Sequence, residues 1–212
     1  MDEDVMRERQ QKSAVDGLPL SGEPLPLDLV NTTYVKGGVR GRLIDALAAP
    51  QDLDVWLRGR RERFSAPLAA DLAGAAPADL TLLGEFLEVR RALRVLAGAR
   101  TSGGAAGPAD LAVVNAWARR AAAWQELAPG PEFPVASRRS ESDSRRAALA
   151  EIAAQAVALF GGAGAELLRA CPAPGCVLYF VKSHSRREWC TTGCGNRVRV
   201  ARHSRRGREG VH

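Results

Sequence analysis

Histidine is nearly missing from this chain of 212 residues: the three present, His184, His203 and His212, all lie near the C-terminus. Without an imidazole in residues 1–170, the sequence offers no nucleophile–base pairing there. The glycine pairs do not lead into Lys-Ser/Thr, so no phosphate-cradling loop is read. Glu85 and Glu88 read as a solvated helix face rather than an acid–base pair. The sequence therefore predicts a protein that is not an enzyme. Long apolar runs are also lacking. No segment approaches the roughly 18 uninterrupted apolar residues of a membrane span. The opening MDEDVMRERQQKS is charged where a secretory signal is apolar. These absences predict no membrane association and a cytoplasmic location. Aromatic residues make up only 5% of the chain, which favours helices packed through small side chains.

Cysteine is scarce too, and its placement is informative. The four cysteines are Cys171, Cys176, Cys190 and Cys194, two close pairs near the C-terminus. The alternative of two disulfides suits an oxidising compartment, and in a reducing cytosol disulfides are rare. Two short turns brought together by a hairpin supply four thiolates to one tetrahedral Zn²⁺. Four protein ligands leave no open position for a catalytic water, so the expected zinc is structural. With four suitable cysteines, His184 and His203 are not needed as ligands.

The body of the chain reads as helical. Residues 1–20 are polar and aperiodic and are expected to form a mobile tail. A helical domain is expected over 21–165. Within it, Leu25, Leu27, Leu29 and Val30 precede Asn31-Thr32-Thr33, and Gly37-Gly38 marks a loop. A helix opens near Pro50, with Leu53, Trp56 and Leu57 at helical spacing. A second runs from Leu80 to about Arg100. A third opens at Pro108 with Leu111, Val114, Trp117, Ala121, Trp124 and Leu127 aligned, and a fourth begins after Asp143 or Ser144. Trp56, Trp117 and Trp124 read as core residues. Gly161-Gly162 ends the last helix, and a short helix around Ala165–Arg169 leads into Cys171.

Charge is unevenly placed. Residues 171–212 carry nine Lys and Arg against Glu188 and Glu209, a net +7, while the whole chain is +6. The positive balance therefore belongs to the cysteine-bearing module, expected over 166–207 with a short tail at 208–212. Such asymmetry points to a polyanionic partner. Val177–Val181 and Arg186–Trp189 are expected to pair as a two-stranded ribbon between the knuckles. Asn196 is a helix-capping residue type, and the segment after it can be helical. On that helix Arg199, Arg202, His203 and Arg206 form one basic stripe, while Cys194, Val198 and Ala201 face the ribbon. Arg197 is open to two uses: nucleic-acid contact, or neutralising the charge of a four-thiolate centre.

Trp189-Cys190-Thr-Thr-Gly-Cys194-Gly195-Asn196-Arg197, followed by Val-Arg-Val-Ala-Arg202-His203, resembles the CGNR zinc-finger proteins of bacteria. Leu27-Asp28-Leu29-Val30-Asn31-Thr32 resembles the opening of the helical ABATE domain that usually accompanies that finger. Asp45, Pro50, Leu53, Trp56, Leu57 and the stretch Glu151–Val157 resemble its later parts. The stretch between Phe180 and Trp189 is shorter than in the usual form, and the last two cysteines are separated by three residues. The resemblance implies a transcription regulator with a DNA-binding finger and a sensing or dimerising helical domain.

The resulting expectation is a mainly α protein with a C-terminal four-cysteine zinc ribbon, built from a β-hairpin and a basic helix. Double-stranded DNA is the expected partner, contacted by Arg197, Arg199, Arg202, His203, Arg205 and Arg206, with a homodimer reading two half-sites. Asp28, Asn31 and Thr32 are the candidates for a pocket holding a small-molecule effector. An RNA-binding protein, with Tyr179, Phe180 and Trp189 exposed for stacking, and a protein-interaction adaptor are the alternatives.

Overall fold

The computed structural model describes residues 14–121, 124–128, 135–139 and 143–209, with side chains described outside 124–128, 135–139 and 203–209. Helix α1 (Leu25–Val30) is apolar on all sides but for Asp28, and every one of its residues is buried. A helix that is hydrophobic all round belongs inside a core; α1 lies against two later helices, α4 (Leu80–Ser102) and α6 (Ser144–Gly161). Strands β1 (Thr33–Lys36) and β2 (Arg42–Asp45) follow as an antiparallel hairpin. Gly37 and Gly38 in its connection both adopt positive φ. The sequence marked this loop but not its strands, because Tyr34 alone is buried along them while Leu43 stays exposed.

Helix α2 (Pro50–Arg58) starts where Pro50 predicted, and Asp52 accepts from the Ala48 and Ala49 N–H groups at its start. A short helix α3 (Ala66–Ala73) was not expected, since it buries only Leu68. Helix α4 is the central element. Asp79 caps it by accepting from Leu82 N at 2.7 Å, and Gly103 ends it in the left-handed region. Its buried face, Phe86, Val89, Ala92 and Leu93, meets α1, α5 (Pro108–Arg119) and α6. On α6 the buried residues include Ala147, Ala148, Ala150, Ala153 and Ala156 beside Leu149 and Ile152. Small side chains let the helices come close, consistent with the low aromatic content. Trp56 is fully buried and meets Phe86 edge to face at 6.5 Å. No helix among the described residues is long and apolar enough to cross a membrane.

The third predicted helix is shorter than expected. It stops at Arg119, and Trp124 and Leu127 belong instead to β3 (Trp124–Ala128), paired with β4 (Val135–Arg139). Apolar residues three apart fit a strand end as well as a helix face, and the intervening Pro129, Gly130, Pro131 and Pro134 do not continue a helix. Residues 14–20, expected within the tail, are packed instead: Val15 and Leu20 are buried against the core, through apolar contacts too sparse to show as periodicity. Residues 1–13 and 210–212 lie outside the described residues.

After α6, a 3₁₀ turn (Ala163–Leu167) leads into β5 (Leu168–Ala170), which pairs antiparallel with β6 (Tyr179–Val181). The sequence reading had put β6 against Arg186–Trp189. That stretch is a turn instead, and β6 has already taken its partner from the chain before Cys171. The short helix expected around Ala165–Arg169 is present as the 3₁₀ helix Ala163–Leu167, with Leu168 and Arg169 in β5. Helix α7 (Thr192–Glu209) closes the chain.

The cysteine module is docked on the helical body through polar contacts. The Asn31 side chain donates to Tyr179 O at 2.8 Å and accepts from Tyr179 N at 3.0 Å, acting as a peptide group would on the outer edge of β6. Glu23, buried, accepts from Val181 N at 2.9 Å and is ion-paired with Arg187. Arg94 donates to Val30 O, Thr33 O and Val177 O, joining three segments; burial draws its pKa down from the usual arginine value. The expected outcome for Asn31→Ala is a loss of about 2–3 kcal/mol in urea denaturation of the zinc-loaded protein, because two backbone groups lose their partner. A loss well below 1 kcal/mol would show that the edge is satisfied without it.

Candidate metal centre and basic helix

Each cysteine pair occupies a different kind of local structure. Cys171 continues β5, its N–H bonded to Leu178 O at 2.9 Å, and Cys176 follows a turn closed by Cys176 N to Ala173 O at 2.9 Å. Gly175 in this turn has φ +72°, and a Cβ there would stand 2.8 Å from Gly38 O and 2.9 Å from the Val39 Cα. Only glycine allows that approach between the first knuckle and the β1–β2 connection. Cys190 ends the turn after β6, and Cys194 sits in the first turn of α7. Thr191 Oγ1 accepts from Cys194 N at 3.2 Å, so Thr191 caps this helix and not Asn196, which lies inside it.

The four sulfurs lie within 4.8 Å of one another. Cys176–Cys190, Cys190–Cys194 and Cys194–Cys176 are separated by 3.7, 3.4 and 3.8 Å. A tetrahedral zinc with Zn–S of about 2.3 Å needs sulfurs about 3.8 Å apart. A disulfide needs about 2.05 Å, so none of these pairs is one. The residues present fit a closed four-thiolate site, and the chain binds one structural Zn²⁺ there. The thiols crowd one another strongly. Hydrogen bonds from Cys176 and Cys190 hold Cys171 down to about 2. Cys176 is pushed up to about 12, chiefly by its contact with Cys171, and Cys190 is pushed up by contact with Cys171 and Cys176. A metal that takes all four as thiolates must displace the protons that Cys176 and Cys190 hold.

Arg197 serves the centre. Its guanidinium donates to Cys194 Sγ at 3.1 Å and to Pro174 O at 3.3 Å, resting over Gly38. Of its two expected uses, the structure gives it the neutralising one. Gly195 is buried, and a Cβ there would lie 2.8 Å from Trp189 Cδ1, so only glycine fits without a shift of that ring. Val198 is buried on the same side as Cys194, while Arg199 and Arg202 are exposed, as the helical spacing predicted. Arg199 donates to the Asn196 side chain, and Arg202 lies 6.0 Å from the centre of the Trp189 ring. His203, Arg205 and Arg206 follow on α7; their side chains lie outside the described residues.

The residues expected around an effector pocket are instead joints of the fold. Asp28 is buried and held by Arg60 at 3.2 Å and by Arg63. Thr32 donates to Leu29 O at 2.7 Å and accepts from Arg90 at 2.9 Å, while Arg90 makes a two-point contact with Asp45. Asn31 is spent on β6. Glu23, Arg94 and Arg187 were missed by the sequence reading. The one available signal for Glu23 was a lone charge in the otherwise apolar and proline-rich run before Asp28.

Comparison with known protein families now adds to this geometry. Residues 23–163 match the ABATE model, described as "Putative stress-induced transcription regulator". The chain belongs to the ABATE family. Residues 168–207 match the CGNR zinc finger, which contains all four cysteines and most of α7. No curated protein matches the chain.

Zinc loading has to displace the protons held by Cys176 and Cys190. Both thiols are raised, so protonation opposes binding at neutral pH and below. The expected result in a chelator-competition titration is an affinity that falls as pH drops from about 7.5 to about 6.5, by about tenfold per unit for each proton displaced. A pH-independent affinity would sink this picture of the thiol cluster. Arg197→Ala is expected to weaken zinc by about 10-fold, the loss typical when a group bonded to a metal ligand is removed.

Proposed function

We propose that this ABATE-family protein is a cytoplasmic, zinc-dependent regulator that binds duplex DNA through α7. The observation that carries this reading is the position of Cys194. A buried metal ligand in the first turn fixes a helix that exposes Arg199 and Arg202 and continues through Arg205 and Arg206. Free, such an arginine-dense helix would repel itself; tied to zinc, it holds a row of guanidiniums in one direction. Arginine forks match phosphate oxygens and guanine edges. A single helix of this length gives modest affinity, which favours a dimer on two half-sites, with the helical body as dimeriser or sensor. The reading assigns the chain no catalytic step.

Recognition of single-stranded RNA by stacking is disfavoured. Phe180 is buried at 1% exposure, and Tyr179 and Trp189 are partly covered by the body and by α7. Bases therefore lack the open aromatic platform that such recognition uses.

Fluorescence anisotropy with duplex DNA and single-stranded RNA across salt tests the reading, using the zinc-loaded protein and its Arg199→Ala/Arg202→Ala/Arg206→Ala variant. Duplex binding is expected to be steep in salt. The variant is expected to lower the slope of log K against log salt by about 3, one for each lost phosphate contact. Binding that ignores the triple substitution points to an adaptor role for the finger, and preference for RNA to the other alternative.

A further inference from the structure

A cavity of about 290 Å³ opens between α2, α3 and the start of α6, away from the residues of the zinc centre. Arg58, Arg61 and Arg145 line it with Asp54 as the one acidic residue on its wall, and Leu57 and Leu72 form an apolar part. Asp54 is already committed. Its Oδ1 accepts from Arg145 Nη2 at 2.6 Å and from Ala78 N at 3.1 Å, and its Oδ2 accepts from Ala78 N at 3.2 Å. Arg145 Nε is buried and finds no acceptor among the described residues. Other arginines nearby are matched: Arg60 and Arg63 by Asp28, Arg146 by Glu85 and Asp143. The side chains of Arg58 and Arg61 have no ion pair or hydrogen bond among the described residues, so three guanidiniums share one carboxylate.

Like charges held together in a partly enclosed space leave a positive potential that an anion relieves. Guanidinium forks bind phosphate and carboxylate groups through paired donors. The volume falls near the lower end of the range for ligand pockets, about 300–1,000 Å³, which limits an occupant to a small molecule. We propose that this cavity binds a small organic dianion, a phosphate monoester or short dicarboxylate, through Arg58 and Arg61, with the Arg145 guanidinium adding positive charge to its wall. Leu57 and Leu72 take the ligand's compact apolar part. The site stands one residue from Arg60 in the chain, and the 3₁₀ turn Arg61–Arg63 that supplies Arg61 also supplies Arg63 to Asp28 and to the Glu23 carbonyl. An occupant therefore engages the same turn that steadies the finger's anchoring carboxylate.

Isothermal titration of the zinc-loaded full chain, at constant ionic strength, with phenyl phosphate and with succinate tests this and distinguishes the two anion classes. Arg58→Gln/Arg61→Gln removes two side chains without structural partners, and Arg199→Gln/Arg202→Gln controls for anions held by α7. Saturable binding of one probe is expected with a Kd below about 1 mM, weakened at least about tenfold by the cavity substitutions and unchanged by those on α7. The proposal is overturned by three results: neither probe saturating at several times that concentration, insensitivity to the cavity substitutions, or an equal loss in the α7 variant. The DNA reading is scored separately, since duplex affinity without probe is expected to be unaltered in Arg58→Gln/Arg61→Gln. A chain that binds a probe but no DNA keeps the cavity and loses the regulator role.

Discussion

Four thiolates meeting around one ion hold together pieces of chain that have little else to bury. The strands β5 and β6 span only three residues each, and α7 is rich in arginine, with Arg199 and Arg202 exposed. Two strands of that length are marginal alone, and an arginine-rich helix opposes its own formation. Zinc joins the end of the hairpin to the start of the helix and so supplies the folding energy that apolar burial cannot. Arg197 belongs to the same constraint, because it offsets the excess negative charge of four sulfurs on a divalent ion. The direction of α7, and with it every role assigned to its arginines, follows from where Cys194 must stand.

The second layer of organisation is made of buried charge. Glu23, Asp28 and Arg60 are all nearly inaccessible, and each is matched by opposite charge or by hydrogen-bonding groups. Buried ion pairs add little net stability over apolar packing, but breaking one partner away is costly. Their effect here is geometric: they fix which segments face each other. Glu23 takes the β6 backbone and Arg187; Asp28 takes Arg60 and Arg63. The finger shares apolar core with the body through Leu178 and Phe180, and these directional bonds to the N-terminal segment fix its register there.

What could be read from sequence followed from periodicity and from cysteine spacing. The helices beginning at Pro50, near Leu80, at Pro108 and at Ser144 were visible because each buries a repeating apolar face or starts with a capping or proline signal. The thiolate set and the exposed arginines of α7 were visible for similar reasons. The β1–β2 and β3–β4 hairpins were not: β1 and β2 bury only Tyr34, and β3 and β4 are five-residue stretches with no alternating apolar pattern. The partner of β6 was misassigned because pairing is a matter of tertiary register, and both flanking segments were equally short. Asn31 resembled a pocket residue because a buried amide has the same signature in sequence whether it binds a ligand or a backbone. Nothing local distinguishes Glu23 as the partner of Arg187, 164 positions away.

The close approach of Gly175 to Gly38 and Val39 bears on how this finger can be moved between proteins. Half of its surface is shaped to one particular body: a glycine knuckle cut to fit a glycine loop, a strand edge already completed by Asn31, an arginine already paired with Glu23. Taken out as a cassette, it would uncover Phe180 to water and abandon a buried carboxylate in the part left behind. The boundary between the two family matches thus runs through segments that the described structure packs together.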